Sequence, residues 1–454
     1  MTPDPDADTA RRVVMVVNNG VHGDSRVQRV ARAAADAGWQ VRVVGRAPAG
    51  GVRRSVEDGV EVVLVPVRPV LSARGDRRNP ALVRGARALL RERDRRLAAS
   101  SWARRLAPVT APLTVLRHGA WRLLDPWVQD LELALAPWVE DHRPHLIHAH
   151  DRHTVPLAAR SAAALRAAGT PTAWVLDAHE YVAATAARGV TGLRGRLRRA
   201  MVVGEQDEFI RDADAVVTVS ETLAGMLRSD HRLAATPTVV LNAPAAVRPA
   251  DQAGTADAGV PDLRDRLGLD ADVPLLVYSG GCAPARGLAT VVDALPALPG
   301  VHLALVVADD DPDVPALLDR AWERGVGDRV HRTGYVPADQ VTGLLAGADV
   351  GLVPLLHRPN HEISLVTKYL EYLHAGLPVV TSDVREMARF TREHRLGEVF
   401  TAGDADGLAV AVRAVLADRG AYAQRVRTSQ AVAATAWPHQ ARRLLAVYDQ
   451  VTAG

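Results

Sequence analysis

The sequence is poor in cysteine, since Cys282 is the only one in 454 residues. A lone cysteine cannot form an internal disulfide, so a disulfide-stapled fold is excluded and a reducing compartment is expected. Aromatic residues are also scarce, at 4%. Alanine, valine, leucine and arginine take their place, which is the bias of a GC-rich genome rather than a functional signal.

Signals for export and for membrane insertion are missing as well. The stretch MTPDPDADTARR is acidic and polar, whereas a signal peptide begins basic and continues apolar. Long uncharged stretches such as residues 106–116 fall short of the ~18 residues that span a bilayer, and they contain proline. The sequence therefore predicts a cytoplasmic protein that is either soluble or peripheral on the inner face of the membrane.

Positive charge is concentrated in one segment, residues 72–122. Here thirteen arginines stand against three acidic residues, a local balance of +10 in a chain whose formal net charge is +3. Such a segment attracts phosphate, whether in lipid headgroups, nucleic acid or a polyanionic substrate. Apolar residues recur at helical spacing and predict one or two amphipathic helices: Leu82, Ala86, Leu89, Leu90 and Leu97. Docking on anionic lipid and a merely solvated insertion are both open at this point.

Alternating patterns indicate two α/β domains. Hydrophobic residues make up 48% of the chain, and its length suffices for two cores of about 200 residues each. Short, continuously apolar runs alternate with helical stretches in both halves, which predicts parallel sheets covered by helices. The predicted strands are residues 13–17, 41–44, 60–67, 146–149, 173–176, 215–219 and 239–241, then 275–278, 303–307, 330–333, 350–353 and 378–381.

The domain boundaries follow from composition. Residues 1–244 are predicted to form an N-terminal Rossmann-like domain, interrupted by the arginine-rich helical insertion near 72–122. Residues 245–261 are rich in proline, alanine, glycine and aspartate without periodicity, which predicts a linker. Residues 262–428 follow as a second Rossmann-like domain, and 429–454 have the pattern of a final helix.

The loop after the first predicted strand contains Gly20 and Gly23. It leads into a helix expected to begin at Asp24 or Ser25. Backbone N–H groups at such a helix start can bind an anion, although the glycines could equally serve only a tight turn. The loop matches neither the dinucleotide fingerprint nor a P-loop, so P-loop nucleotide hydrolysis is not expected.

Two further predicted strands of the first domain end in histidine–acid pairs. His150 and Asp151 follow one of them, and His179 and Glu180 follow the next. Acid and base groups at the carboxyl ends of parallel strands line a ligand-binding crevice. The spacing matches no zinc motif, so a metal is not expected. His148 is expected to face the strand interior and to be satisfied by hydrogen bonds.

The second domain places charged groups beside glycine-rich turns. Gly281 and Arg286 lie between a predicted strand and a helix, where an arginine can clamp a diphosphate; a solvated loop arginine is the alternative. Lys368 and Glu371 lie three residues apart, hence on one helix face, where an exposed ion pair is the alternative. Cys282 has no histidine near it in sequence and is not expected to be a nucleophile.

Residues 371–380, EYLHAGLPVV, resemble the donor-binding signature of family 4 glycosyltransferases, which are retaining enzymes of the GT-B fold. Weaker matches follow the family's order along nearly the whole chain apart from the arginine-rich segment: DSRV at 24–27, DAHE at 177–180, ADAVVTVS at 213–220, NAP at 242–244, RGL at 286–288, GYV at 334–336, ADVGLVP at 348–354 and SLVTK at 364–368.

The resemblance implies two doubly wound Rossmann-like domains facing a cleft. It implies transfer of a sugar from a nucleotide-diphosphate sugar to a glycan, lipid or small-molecule acceptor, with retention and without a metal or other cofactor. Synthesis of a cell-envelope polysaccharide is the expected setting. No nucleic acid is expected as a partner, because no aromatic interleaving or reader motif accompanies the basic segment.

Residue roles are also implied by the resemblance. Glu371 would hydrogen-bond the ribose of the nucleotide, while Arg286 and Lys368 would hold its diphosphate. His179, with Glu180 beside it, would be the catalytic group next to the transferred sugar. The remaining donor-binding positions would be Gly20, Gly23, Gly281, Gly334, Tyr335, Val336, Glu362, Ser364 and Leu365. The acceptor side would include Asp24, Arg26, His150 and Asp151.

The sequence departs from the family at two positions. The acid expected eight residues before Glu371 is Ile363, with Glu362 one residue away, and the arginine expected six residues before Arg286 is Gly280. Both positions concern sugar and phosphate contacts. They leave donor identity and catalytic competence open. A nucleotide-sugar epimerase and a degenerate sugar-nucleotide-binding protein are therefore the alternative functions.

Overall fold

The computed structural model of the chain describes residues 10–48, 50–74, 79–100, 121–122, 125–185, 192–244, 262–336 and 340–453. The chain divides into two compact units: unit 1, Met1–Val240 with Ala441–Gly454, and unit 2, Leu241–Gln440. The predicted linker at 245–261 lies outside the described residues.

Unit 1 is organised around a mostly parallel sheet. Its described strands are β1 (Arg12–Val16), β2 (Gln40–Arg46), β3 (Arg53–Glu57), β4 (Val60–Val65), β5 (Leu146–His150), β6 (Ala173–Ala178), β7 (Ala215–Thr218) and β8 (Thr238–Val239). They lie in the order β3-β4-β2-β1-β5-β6-β7-β8. Only β3 is antiparallel to its neighbour among these strands. The strand order reverses between β1 and β5, so ligands are expected at the carboxyl ends of these two strands.

Helices cover the sheet of unit 1: α1 (Ser25–Asp36), α2 (Pro80–Ser100), α3 (Trp127–Glu140), α4 (Val155–Ala167), α5 (Val182–Thr185), α6 (Gly192–Phe209) and α7 (Glu221–His231). The prediction for α1 is confirmed. Asp24 caps it by accepting a hydrogen bond from the Val27 N–H at 3.1 Å, and Gly38 follows its end at φ +84°. Val27 and Val30 face the core.

Unit 2 contains a second, wholly parallel sheet in its described residues. Its strands are β9 (Leu275–Ser279), β10 (His302–Val306), β11 (Val330–Thr333), β12 (Val350–Val353), β13 (Val379–Ser382) and β14 (Gly397–Phe400). Their order is β11-β10-β9-β12-β13-β14, the doubly wound order of dinucleotide-binding domains. The order reverses between β9 and β12, so this unit has its own expected ligand site at the carboxyl ends of those strands.

The helices of unit 2 lie between and after these strands: α8 (Leu263–Leu267), α9 (Leu288–Ala294), α10 (Val314–Glu323), α11 (Val341–Leu345), α12 (Thr367–His374), α13 (Arg385–His394), α14 (Ala405–Ala417), α15 (Arg419–Thr428) and α16 (Gln430–Ala434). The last helix, α17 (Trp437–Thr452), begins in unit 2 and ends in the part assigned to unit 1. No described helix is both long and apolar enough to cross a bilayer.

The predicted α/β fold class is confirmed, and each predicted strand overlaps an observed one. Two observed strands, β3 and β14, were not predicted. Every residue of β3 is exposed, so an apolar run is missing from it. β14 begins with Gly397 and buries only Phe400 fully, which weakens its signal. Edge strands of this kind are defined by pairing rather than by their own pattern.

The arginine-rich insertion is tied to unit 1 by buried ion pairs. Arg93 on α2 pairs with Glu132 at 2.7 Å and with Glu140 at 2.5 Å. The fully buried Arg160 pairs with Glu132 at 2.5 Å and with Asp94 at 2.6 Å. This network sets the rotation of the helix and corrects the predicted apolar stripe. Val83, Leu90 and Leu97 are buried, whereas Leu82 and Leu89 are 58% and 53% exposed. Residues 101–120 of the insertion lie outside the described part.

The single helix predicted for 429–454 is two helices, α16 and α17. Residues 429–440 group with unit 2, and Ala441–Gly454 group with unit 1. In unit 1 the buried Tyr448 packs edge-on against Trp39, with ring centroids 5.6 Å apart. Asp449 pairs with Arg11 at 2.5 Å. The end of α17 is thus held to unit 1 by an aromatic contact and by an ion pair.

Candidate functional site

The switch point of unit 2 is shaped by the loop after β9. Gly280 has φ +109° and Gly287 has φ +75°, in the region that favours glycine. A Cβ on Gly287 would lie 1.8 Å from the carbonyl oxygen of Pro354. Only glycine therefore lets this loop approach the residue that follows β12. The predicted donor-binding residues Gly281 and Arg286 lie in the same loop.

Lys368 lies against this loop and is nearly buried, with 9% of the residue exposed. Its Nζ is 3.6 Å from the centroid of the Tyr278 ring and has no hydrogen-bond partner among the described residues. Burial, and then the positive charge of Arg286, holds the pKa of Lys368 well below its usual value. Lys368 is also the only lysine in the chain, whose Lys and Arg total 55. A lone lysine in so arginine-rich a chain is a signal that can be read from the sequence itself.

The ammonium of Lys368 also accounts for the glycine at position 280. A Cβ on Gly280 would lie 2.9 Å from Lys368 Nζ, and the positive φ disfavours any other L-residue. An arginine at this position would thus be strained and would add a second cation beside the lysine. The departure from the family pattern at Gly280 is consistent with the position of Lys368.

Two charged side chains shift the pKa of Lys368 in opposite directions. The half-buried Arg286 lowers its pKa and Glu371 raises it. Arg286 forms no ion pair with a described residue. Tyr335 is a predicted donor-binding residue, expected beside the nucleotide base together with Gly334 and Val336, and it is 53% exposed. Its pKa is raised by partial burial and by nearby acids including Glu371. The structure thus brings Arg286, Lys368, Glu371 and Tyr335 into one electrostatic neighbourhood, while their roles toward a ligand stay predictions.

In the segment before α12, the predicted donor-binding residues make contacts within the protein. The Glu362 carboxylate accepts a hydrogen bond from the Arg385 backbone N–H at 2.8 Å, at the start of α13, and lies 2.6 Å from His357. Ser364 donates to the Asn360 carbonyl at 3.3 Å, and Leu365 belongs to the core. Ile363, in place of the family's acid, is buried. The predicted role of Glu362 toward the donor is untested, but both its oxygens already have partners.

Asp311 supports the β9 loop and was missed by sequence reasoning. Its carboxylate accepts hydrogen bonds from the Cys282 N–H at 2.9 Å and from the Asp313 N–H at 3.0 Å. In the sequence, Asp311 is merely one of several acids that follow β10. Its proximity to the β9 loop results from the fold. Burial raises the pKa of Cys282 to about 11, which agrees with its interpretation as an unreactive thiol.

In unit 1, four of the predicted acceptor-side and catalytic residues lie around Asp177, at the end of β6: Arg26, His150, Asp151 and His179. Asp24 caps α1 instead. Arg26 on α1 donates to both of its carboxylate oxygens, at 2.9 and 2.8 Å, and to the Val240 carbonyl at 2.8 Å. Both partners of the ion pair are buried. Burial alone would raise the pKa of Asp177, but Arg26 and His179 outweigh it and hold that pKa well below its usual value.

His179 lies between two carboxylates. Its Nε2 is 3.1 Å from Asp177 and its Nδ1 is 3.3 Å from Asp151. Burial lowers its pKa, but the two acids prevail and raise it to about 10. With a pKa of about 10, His179 carries a positive charge at neutral pH, so its charge can stabilise a nearby anion, but it does not serve as a general base there. Glu180 lies exposed beyond it.

His148 and His150 are buried beside this group, with ring centroids 4.2 Å apart. Burial lowers the pKa of His148 to about 4 and that of His150 well below its usual value, so both rings are neutral. The expectation for His148 is confirmed in part. Its Nδ1 is 2.5 Å from the Tyr448 hydroxyl, while its Nε2 has no hydrogen-bond partner among the described residues.

His148, His150 and Asp177 could in principle hold a metal ion, since their donor atoms lie within 4.8 Å of one another. An ion there would have to share Asp177 with the Arg26 guanidinium and would lie beside the His179 imidazolium. Repulsion from these two cations disfavours a third positive charge at this position. The charges of this cluster are thus balanced without an ion, although both ring nitrogens of His150 and the Nε2 of His148 have no hydrogen-bond partner among the described residues. The absence of a metal stays a prediction.

Strained backbone marks the two loops at the switch point of unit 1. Val21, after β1, has φ +66°, and Asp151, after β5, has φ +64°. In the first loop the Val21 N–H donates to the Asn19 side chain at 2.8 Å, and Asn19 donates to Asp24 at 2.7 Å. These bonds keep the loop of Gly20 and Gly23 in shape. Its contact with an anion stays a prediction.

Glu205 on α6 is a second group that sequence reasoning missed. It is fully buried and pairs with Arg152. Burial raises its pKa to about 8. An acid in the middle of a helical stretch is usually exposed, so nothing in the local pattern distinguished it.

Comparison with known proteins gives two family matches. The Glycosyl transferase 4-like domain matches residues 23–244, and the Glycosyl transferases group 1 model matches residues 273–418. The lipopolysaccharide core biosynthesis glycosyltransferase LpsE of Rhizobium meliloti is 31% identical over 34% of this chain and 43% of its own length. The 2-deoxystreptamine glucosyltransferase of Streptomyces kanamyceticus is 27% identical over 56% of this chain and 65% of its own.

The match therefore spans about half of the length of these relatives. Among solved structures, the sucrose-phosphate synthase from Thermosynechococcus elongatus has a TM-score of 0.65 at 18% identity, over 98% of this chain and 99% of that one. At this identity the likeness shows the fold alone.

Proposed function

Because this chain belongs to the family 4 glycosyltransferases and has their GT-B fold, we propose that it transfers a sugar from a nucleotide-diphosphate sugar to an acceptor, with retention of configuration. The observation that carries the proposal is Lys368. A buried cation without a hydrogen-bond partner is costly until an anion reaches it. Its position at the switch point of unit 2 fits a diphosphate.

In the proposed complex, Arg286 and Lys368 hold the diphosphate and Glu371 accepts hydrogen bonds from the ribose hydroxyls. The two side-chain cations stabilise the negative charge that develops on the departing diphosphate. The proposed reaction therefore uses no resident metal. Lys368 provides a compact point charge where Gly280 leaves room for it.

Unit 1 contributes His179 as a fixed cation in this proposal. Asp177 and Asp151 hold it in one orientation, so its positive charge can stabilise negative charge that develops beside the transferred sugar without reorganising. Since its proton is tightly held, we assign deprotonation of the acceptor to the departing diphosphate. Asp24, Arg26, His150 and Asp151 are proposed for the acceptor side.

The acceptor is proposed to be a cell-envelope glycan. The likeness to a lipopolysaccharide core glycosyltransferase supports this class. The epimerase alternative is not favoured, because both matched family models are transferase models. Turnover distinguishes a transferase from a catalytically degenerate binding protein. Only the transferase releases nucleoside diphosphate in proportion to an added acceptor.

The donor is tested by thermal shift with UDP-, GDP-, ADP- and TDP-sugars. At a concentration of about 100 times its Kd, the correct donor should raise the free energy of unfolding by ~2.7 kcal/mol. Glu371→Ala should abolish the shift, whereas Glu393→Ala, which removes an exposed acid of α13, should leave it unchanged. If a folded sample shifts with none of the donors, or if Glu371→Ala shifts like the wild type, the proposed donor site is wrong.

We further propose that unit 1 docks on an anionic membrane surface. Its helices expose leucines among arginines. On α6, Leu193 and Leu197 are 72% and 56% exposed, next to the exposed arginines Arg194, Arg196, Arg198 and Arg199. Leu82 and Leu89 on α2 are exposed in the same way. Leucine that inserts at the headgroup boundary and arginine that meets anionic lipid together support peripheral binding.

Liposome flotation tests this surface. We expect the protein to float with vesicles that contain phosphatidylglycerol at low salt, and not with phosphatidylcholine alone. Replacing Leu193 and Leu197 with serine should reduce flotation several-fold, while Val410→Ser, at an equally exposed position of unit 2, should not. Equal flotation of the two variants would contradict docking through α6.

A further inference from the structure

Unit 1 contains a pocket that the proposed donor chemistry does not use. It has a volume of about 580 Å³ and opens where α2 meets residues 71–74 and 125–129. The helix belongs to the arginine-rich insertion, which lies outside every family motif quoted above.

Charged side chains in the wall of this pocket fall into two sets. Three already have partners of opposite charge: Arg122 with Glu208 at 2.6 Å, Asp94 with Arg160 at 2.6 Å, and Asp125 with Arg152 at 3.3 Å. The other three, Arg74, Arg87 and Arg91, form no ion pair with any described residue. The pocket therefore presents three uncompensated positive charges, while its acids are occupied.

The walls of the pocket are held in place. Buried Asp130 on α3 accepts hydrogen bonds from the Leu71 N–H at 2.7 Å, from the Ser72 N–H at 2.9 Å and from the Ser72 hydroxyl at 2.6 Å. Arg93 ties α2 to α3 through Glu132. The segment that bears Arg74 and the helix that bears the other two arginines are thus both fixed to α3.

The lining also has an apolar part. Leu90 is buried at the pocket, and Pro126 and the half-buried Trp127 form another part of its wall. An indole ring beside guanidinium groups suits a ligand with an anionic end and an apolar or sugar end. An inorganic anion alone would use only the arginines.

We propose that this pocket binds a phosphate group, as a monoester or diester that bears a lipid or a sugar. Guanidinium groups match phosphate oxygens with two parallel hydrogen bonds, and three such groups around one pocket neutralise a phosphate without help from the acids. That the ligand is the acceptor of the transfer reaction rests on the proposed function. Binding of the phosphate group itself does not depend on the proposed function.

Isothermal titration tests the binding with two probes, inorganic phosphate and dihexanoylphosphatidylglycerol below its micelle concentration. Four proteins are compared: the wild type, Arg87→Gln with Arg91→Gln, Arg84→Gln with Arg95→Gln, and Lys368→Met. The two double variants remove the same charge from the same helix, but Arg84 and Arg95 do not line the pocket. All four arginines are exposed, so both variants should fold.

We expect the pocket variant to bind dihexanoylphosphatidylglycerol at least tenfold more weakly, and the control variant and Lys368→Met to stay within twofold of the wild type. Much weaker binding of inorganic phosphate than of this probe would support an ester, because only the ester also uses the apolar part of the lining. Equal binding of the two would mean that only the phosphate is recognised and would overturn the proposed ester.

Equal losses in the two double variants would reduce the effect to diffuse charge and overturn the proposal. A loss in Lys368→Met alone would assign the probe to unit 2 and also overturn it, as would the absence of binding to the wild type. Failure of every nucleotide sugar in the donor screen would leave this result untouched, so the two proposals fail separately.

Discussion

The histidine–aspartate cluster of unit 1 and the Lys368 neighbourhood of unit 2 both place buried charge at the carboxyl ends of parallel strands. In unit 1 the charges are paired within the protein, Arg26 with Asp177 and His179 with two carboxylates. In unit 2 the Lys368 ammonium faces an aromatic ring and has no hydrogen-bond partner among the described residues. The charges of the first cluster are balanced within the protein, although both ring nitrogens of His150 have no hydrogen-bond partner among the described residues. For the second cluster, we propose that a bound anion supplies the missing counter-charge.

This difference separates two uses of buried charge. A paired cluster fixes geometry before a substrate arrives, and breaking it leaves an uncompensated ion in the core. An unpaired cation weakens the fold slightly but has a high affinity for the group that neutralises it. Substitutions in the two clusters should therefore have opposite effects on stability.

The largest expected effect is on stability in unit 1. Asp177→Asn should lower the free energy of unfolding by ~3–5 kcal/mol, because it leaves the buried Arg26 guanidinium without its counter-charge. Urea denaturation measures the loss. Asp58→Asn, which breaks an exposed pair with Arg32, is the matched control and should cost under ~1 kcal/mol. Comparable losses in the two variants would mean that the cluster is not charge-balanced in the way described.

The next effect is on binding in unit 2. Lys368→Met should weaken binding of the nucleoside diphosphate by ~100-fold, which corresponds to ~2.7 kcal/mol, because a desolvated cation is lost. The same variant should melt at or above the wild-type temperature, since a thioether replaces an unpaired ammonium. Calorimetric titration and thermal denaturation measure the two quantities. A clear loss of stability in Lys368→Met would contradict the expectation that substitutions in the two clusters affect stability in opposite directions.

A direct measurement of the cation sharpens this expectation. Because Lys368 is the only lysine, labelling lysine with ¹⁵N at Nζ should give a single side-chain resonance. We expect it to titrate well below the usual lysine pKa in the free protein, and to move upward when the diphosphate binds. A resonance that titrates like free lysine in both states would show that Nζ is solvated.

The last expected effect appears only above neutral pH, and it is the pH dependence of stability due to His179. Its folded-state pKa of about 10 exceeds the ordinary value of 6.5, so the folded protein holds a proton that the unfolded chain releases between these values. This contribution is complete below pH 6.5 and is lost as the pH rises to 10. His179→Gln should flatten that part of the profile, whereas His439→Gln, at an exposed histidine, should not. An unchanged slope in His179→Gln would contradict the ion pairs.

Much of the fold follows from patterns within short segments. Continuous apolar runs mark the buried parallel strands, and Asp24 with Gly38 marks the ends of α1. Strands such as β3 could not be predicted this way, because their side chains are exposed and only hydrogen bonds to a neighbour define them. Leu82 and Leu89 were misassigned to the apolar stripe of α2, since an ion pair between Arg93 and Glu132 sets which side of that helix is buried.

By itself, the sequence determined two α/β domains, a family resemblance and the chemical types of the site residues, because these depend on local periodicity and short motifs. Only the tertiary structure decided their charge states. Burial and Arg286 lower the pKa of Lys368, whereas Asp177 and Asp151 raise that of His179 against the effect of burial. Neither burial nor these distances in space can be read from a motif. The three unpaired arginines of the unit 1 pocket likewise became visible only once the partners of the others were known, because electrostatic pairing depends on distance in space.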